Sequence, residues 1–134
     1  MNVVPWQEVL MTTISEERLD NGLQIIFTDE SNRYFGDYHR VCVVATIVCS
    51  FPELSEASIE EAFRDQAIEA LGERFSVIKR FERMGVATAD VDEVRTALID
   101  NFLNHAASYL SRPEYPRSLV TAELNKRRPH RFYG

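Results

Sequence analysis

The sequence predicts a single α+β domain, an antiparallel sheet of about four strands with two amphipathic helices packed on it. Three observations carry that expectation. Val41 to Cys49 is apolar or small at nearly every position, with no charge, glycine or proline. Asn21-Gly22 sits between Leu19-Asp20 and the apolar run Leu23-Gln24-Ile25-Ile26-Phe27. Two capping-box sequences, Ser58-Ile59-Glu60-Glu61 and Asp90-Val91-Asp92-Glu93, each open an apolar stripe of helical period.

The central run comes first because the rest is arranged around it. In Tyr38 to Phe51 one alternate set is Val41, Val43, Ala45, Ile47 and Cys49; the other is Cys42, Val44, Thr46 and Val48. Neither set is charged, which suits a strand paired on both edges with something packed on each face. Ahead of it, residues 1–11 lack a clear period, and Trp6, Val9, Leu10 and Met11 suit a short docked turn of helix. Thr12 to Asp20 is strand-like, with Glu16, Glu17 and Arg18 protecting a sheet edge. Asn-Gly then predicts a hairpin with a two-residue type I′ turn. Residues 29–40 read as a long polar connection into the central strand.

After Phe51, the helix opened by Ser58 places Ile59, Ala62, Phe63, Ala67, Ala70 and Leu71 on one face, leaves Ile68 opposite, and ends at Gly72. In residues 73–84, Phe75, Val77 and Phe81 alternate as on a strand with Lys79 breaking the face, while Val77, Ile78, Phe81 and Met84 fit a helical stripe. Strand is preferred, because Gly72 stops the helix and the central strand needs another neighbour. The second helix buries Val91, Val94, Leu98, Ile99, Phe102, Leu103, Ala106, Tyr109 and Leu110 and must stop before Pro113. Pro113-Glu114-Tyr115-Pro116 reads as extended, a short helical turn is expected near Leu119–Asn125, and residues 126–134 form a basic flexible tail beyond a 1–125 domain.

Composition narrows the function classes. The formal charge of −6 divides unevenly: residues 1–110 hold 9 Lys+Arg against 19 Asp+Glu, residues 111–134 hold 6 against 2. An acidic body repels phosphate backbones, so nucleic acid is not an expected partner, although Lys126-Arg127-Arg128-Pro129-His130-Arg131 resembles a short basic contact run. No apolar run is long enough for a membrane span, and the start lacks the basic and apolar regions of a secretory signal. Cys42 and Cys49, seven residues apart on one strand, would lie roughly 23 Å from each other on opposite faces, too far for a disulfide. Free buried thiols point to a cytoplasmic location.

The signature Leu19-Asp20-Asn21-Gly22-Leu23, followed by Asp29-x-Ser31-x-Arg33 and Gly36-Asp37, resembles a group of small uncharacterised bacterial cytosolic proteins. The resemblance extends to the last helix with its Tyr-Leu and Pro-x-x-Pro ending. It implies a sheet with helices and no activity.

No catalytic residue, metal site or cofactor is assigned. Neither cysteine has a further Cys or His at ligand spacing, and an apolar strand raises a thiol pKa rather than activating it. His105, on the margin of the second helix near Val94 and Leu98, has no visible nucleophile partner and reads as a packing residue. The candidate ligand-binding residues are Asp29, Arg33, Tyr34, Asp37, His39 and Arg40, a mixed set of charges and rings on one connection. Against it stands the reading of a solvated link with weak surface ion pairs. The leading expectation is therefore a non-enzymatic protein acting as a homodimer or through a protein partner. A small-ligand binder or enzyme with its site at 29–40 is the alternative.

Overall fold

The computed structural model describes residues 13–127. The helical turn expected over 1–11 and the tail from 128 onward lie outside the described residues. In chain order the elements are β1 (Thr13–Arg18), β2 (Gln24–Asp29), β3 (Asn32–Phe35), β4 (Tyr38–Ser50), α1 (Glu61–Leu71), β5 (Arg74–Ala87), α2 (Val91–Leu110) and α3 (Tyr115–Arg127). The α+β expectation holds, with five antiparallel strands and three helices. The sheet is only four strands wide, because β3 prolongs β2 along the same edge of β4. Asp29 opposite Val43 and Asn32 opposite Arg40 keep one register across both. On the other edge β5 pairs with β4 from Tyr38↔Ala87 to Ser50↔Arg74. Strand was the right reading of 73–84.

Two turns differ from expectation. The β1–β2 hairpin is where Asn21-Gly22 put it, but Gly22 alone has positive φ, at 96°. Leu19 C=O accepts from Gly22 N–H (3.0 Å), and Leu19 N–H donates to Leu23 C=O (2.8 Å). That is a three-residue loop, a type I turn closed by a bulged glycine, not a type I′ turn. Asn21 keeps negative φ because its side chain is used elsewhere, as described below. The connection 29–40 is mostly strand: Arg33 lies opposite His39, and Gly36 (φ 53°) starts a two-residue turn. Alternation was invisible there because both faces of that hairpin end are largely exposed.

The odd-numbered face of β4 carries the core. Val41, Val43, Ala45, Ile47 and Cys49 are fully buried, joined by Ile25 and Phe27 of β2 and Phe75 of β5. Phe102 of α2 packs over β4 between β2 and β5, its ring 5.8 Å from Phe27 and 5.2 Å from Phe81. Side chains of this size each contribute roughly 1.5–3 kcal/mol when fully buried. Leu98, Ile99, Ala106 and Leu110 of α2, Ala67 and Leu71 of α1, and Leu119 and Val120 of α3 complete the same cluster. The helices that pack on the sheet thus share one face. On the other face Cys42, Val44 and Thr28 are buried as well, outside the core cluster that the helices join.

The helices also shift. Ser58 does not cap α1; it sits in a 3-10 turn over Glu56–Ser58, and the helix starts at Glu61. Ile68 is half-buried against the core while Ala62 and Ala70 are exposed, so the face is rotated from the predicted one. The longer side chain takes the core side, and two alanines lose little by exposure. Gly72 (φ 87°) ends α1, with its N–H donating to Ile68 C=O. The short turn expected near 119–125 is part of a full helix, α3, which begins inside the supposed extended stretch. Pro116 falls in its first turn, where proline's missing N–H has no helical partner to lose. Lys126 and Arg127, assigned to the tail, belong to this helix.

Candidate functional site

The register of β2–β3 against β4 divides the six candidate residues between the two faces of the sheet. Asp29 is on the helix-covered side. One of its carboxylate oxygens accepts from Ser31 N–H (2.8 Å), and the other pairs with Arg95 of α2 at 2.9 Å. His39 and Arg33 form a register pair next along the same face, and His39 Nε2 lies 3.0 Å from Thr88 Oγ1. Asp37 C=O accepts from both Thr88 N–H (2.9 Å) and Thr88 Oγ1 (3.0 Å). Tyr34 is half exposed beside Gly85, the glycine (φ 68°) in the bulge where β5 skips a residue against β4. Arg40 points to the opposite side.

Arg40 anchors a charged lattice on the even-numbered face. Its Nε and Nη2 donate to Glu82 Oε2 at 3.0 and 2.7 Å, and its Nη1 donates to Glu30 C=O (3.1 Å) and Asn32 Oδ1 (3.2 Å). The hydrogen bond to Glu82 raises the guanidinium pKa further. A second pair, Arg80 with Glu30 at 3.5 Å, joins β5 to β2 across β4. On the same face Cys42 and Val44 are 0% and 3% exposed, outside the core cluster that the helices join. Ser31 fills the break between β2 and β3, its hydroxyl accepting from Cys42 N–H at 2.9 Å. Asp29, His39 and Arg40 thus reach different neighbours through their side chains and Asp37 through its carbonyl, while Arg33 is placed by its register with His39 and Tyr34 by Gly85.

Burial raises the Cys42 thiol pKa, as the apolar strand implied, and pushes Cys49 up to about 12. Neither thiol is activated. Cys49 has a consequence for stability against pH. Its folded pKa is above that of a free thiol, so the folded chain holds the proton more tightly and stability falls as pH rises from about 9 toward 12. At pH 10 the loss approaches about 1.4 kcal/mol. Urea unfolding of the native chain and Cys49→Val at pH 8 and 10 measures it: the native midpoint is expected to drop further. An equal drop in both would remove Cys49 as the cause.

Beyond the lattice, the even face is partly exposed among the described residues. A cleft of about 350 Å³ is lined by Gln24, Ile26, Thr46, Val48, Arg74, Phe75 and Ser76. Ile78 stands beside it, 52% exposed. On the helix side a second cleft of about 390 Å³ lies between β5 and α2, lined by Lys79, Phe81, Leu98, Asn101, Phe102, His105, Ala106 and Tyr109. Sequence reasoning met two of these residues only as misfits, Lys79 breaking the apolar alternation of β5 and His105 at the edge of its helix stripe. Glu30, Glu82 and Arg80 were missed, because the partners of Arg40 and Glu30 come from a strand 42 and 50 residues away in the chain. Among the described residues no group of three or more His, Cys, Asp or Glu is placed to hold a metal ion, and no helix is long and apolar enough to cross a membrane. The chain matches no protein-family model, no curated protein and no solved structure.

Proposed function

We propose that this chain works as a self-associating protein whose unit is a two-fold pair joined through the even-numbered sheet face. The observation that carries the reading is the row Glu16, Ile26, Thr46 and Ile78, which runs straight across four strands on the face away from the core helices, with Ile26 and Thr46 partly exposed and Ile78 52% exposed among the described residues. Sheet faces with exposed Ile and Val are covered in stable proteins, and a second sheet about 10 Å away is a common cover.

Charge placement favours a copy of the same chain as that cover. Glu82 and Arg74 lie four residues to either side of Ile78 on β5, both on the even face. A two-fold axis through the Ile78 row sets Glu82 of each copy against the partner's Arg74, a residue with no ion pair among the described residues. The same axis lays the charged lattice of one copy over the open cleft of the other. Four strands by about five same-face rows give a projected area on the order of 500 Å². Side-chain relief brings this toward the roughly 800 Å² per partner of a standard interface. The like-charge meeting of Glu16 with the partner's Glu16 falls on edge strand β1, at the solvated rim. The free thiols Cys42 and Cys49 fit a cytoplasmic setting for the pair.

Light scattering over a wide concentration range tests this. The expected mass is twice 15.4 kDa at concentrations above the micromolar range, an order of magnitude typical of modest interfaces. Ile78→Glu is expected to leave monomers, Glu16→Gln to tighten the pair, and Met84→Glu, on an exposed residue in the bulge, to change nothing. A mass of 15.4 kDa throughout, or a pair that survives Ile78→Glu, would overturn the proposal.

A further inference from the structure

The cleft between β5 and α2 lies on the other side of the sheet from the pairing face, and its chemistry is different. Its floor is aromatic and aliphatic, from Phe81, Phe102 and Leu98. Its rim carries Lys79, His105 and Tyr109, and its lining includes no carboxylate. Across residues 1–110 acids outnumber bases 19 to 9, so a cation in a lining without a carboxylate, here as in the even-face cleft, is set apart from most of that surface. Lys79 occupies a register position facing the helices, opposite Ala45, where its neighbours Val77 and Phe81 are packing residues. A lysine there costs the sheet an apolar contact, and among the described residues it has neither a hydrogen bond nor an ion pair. His105 is fixed at the mouth by donating from Nδ1 to Asn101 C=O at 2.7 Å. Tyr109 is held edge-on to Tyr115, ring centroids 5.7 Å apart, which leaves its side chain 39% exposed.

We propose that this cleft binds small amphipathic carboxylates. The head group would lie on the Lys79 ammonium and the Tyr109 hydroxyl, and the apolar tail would run along Phe81, Leu98 and Phe102. A few polar groups at the mouth of an apolar hollow are the usual build of a small-molecule site, and about 390 Å³ is within the range of such pockets. At roughly 30 Å³ per heavy atom, the volume holds on the order of ten atoms, a medium-length chain rather than a nucleotide. A single cation matches a monoanion, and the hollow wall strengthens that contact by excluding water.

Calorimetry with the full chain and three probes tests the assignment. Decanoate is expected to bind once per chain. Decanol, which has the tail without the charge, should bind at least tenfold more weakly, and acetate, with the charge alone, not measurably. Lys79→Met keeps the apolar stem at an exposed position and should weaken decanoate about tenfold while leaving decanol unchanged. Ile78→Glu should bind decanoate as the native chain does, which separates this site from the pairing face. Decanoate affinity that is unaltered by Lys79→Met, or lost with Ile78→Glu, would overturn the proposal, as would the absence of decanoate binding.

Discussion

Asn21→Ala is expected to lower folding stability by about 3 kcal/mol, because it strips partners from buried backbone groups at a junction of three chain segments. The Asn21 side chain is 2% exposed. Its Nδ2 donates at 2.7 Å to Leu110 C=O, in the last turn of α2 where carbonyls lack helical partners, and at 2.9 Å to Arg112 C=O just beyond it, which also accepts from Tyr115 N–H. Its Oδ1 accepts from Leu23 N–H at 3.1 Å. The Asn21 carbonyl accepts from Ser55 N–H, which fastens the turn after β4 to the same point. Alanine fits the backbone there, since Asn21 has negative φ, so the loss measures the side-chain hydrogen bonds. Asn21→Asp offers no rescue: it keeps the acceptor but turns a carboxylate toward two carbonyl oxygens. Asp20→Ala, one residue away and exposed, should stay within about 0.5 kcal/mol. Urea midpoints of the three variants check the ranking, and an Asn21→Ala midpoint equal to that of Asp20→Ala would dismiss the junction.

The part of this fold legible in the sequence was the part governed by local pattern. β4 announced itself because nine consecutive uncharged residues leave little choice but a paired, buried strand, and α2 because its stripe is long and regular. What escaped depends on partners distant in the chain. Asn-Gly signalled a turn correctly, but its type was set by Leu110 and Arg112, about 90 residues away, which hold the Asn21 side chain. The capping box at Ser58 failed for a related reason: Ser58 is 3% exposed, buried in a turn before the helix begins. An uncharged β4 suggested two covered faces, and its even face, buried at Cys42 and Val44, also carries the arginines and glutamates around Arg40. Side chains that snorkel across an apolar strand leave no periodic trace in a sequence.

The candidate site shows the same division. Mixed charges and rings between 29 and 40 looked like a binding loop because polar residues without alternation read as loop. The structure gives three of them partners in other elements: Arg40 holds Glu82, Asp29 holds Arg95, and His39 meets Thr88. Lys79 and His105 were conspicuous as local misfits, yet nothing in the sequence brings a residue of β5 beside one of α2. Packing around Phe102 does that.

Gly22→Val is expected to have the largest effect of any single change, a loss above about 4 kcal/mol or no cooperative unfolding transition at all. Two costs fall on one residue. Its φ of 96° is outside what a β-branched side chain adopts. A Cβ there would also run into the Glu53 carbonyl oxygen and the Leu54 Cα, backbone atoms of the turn that follows β4. That turn cannot retreat cheaply, since Phe51 is fully buried, Leu54 is 6% exposed, and Ser55 N–H is tied to Asn21. Gly36→Ala separates the two costs, because Gly36 also has positive φ (53°) but meets nothing within 4 Å. It should lose only the backbone strain, about 1–2 kcal/mol. Gly22→Ala should exceed Gly36→Ala by at least about 2 kcal/mol, the excess belonging to the collision. Equal losses at the two glycines would mean that the β1–β2 turn does not press on residues 53–54, and the junction through which the hairpin, the end of β4 and the end of α2 meet would have to be redrawn.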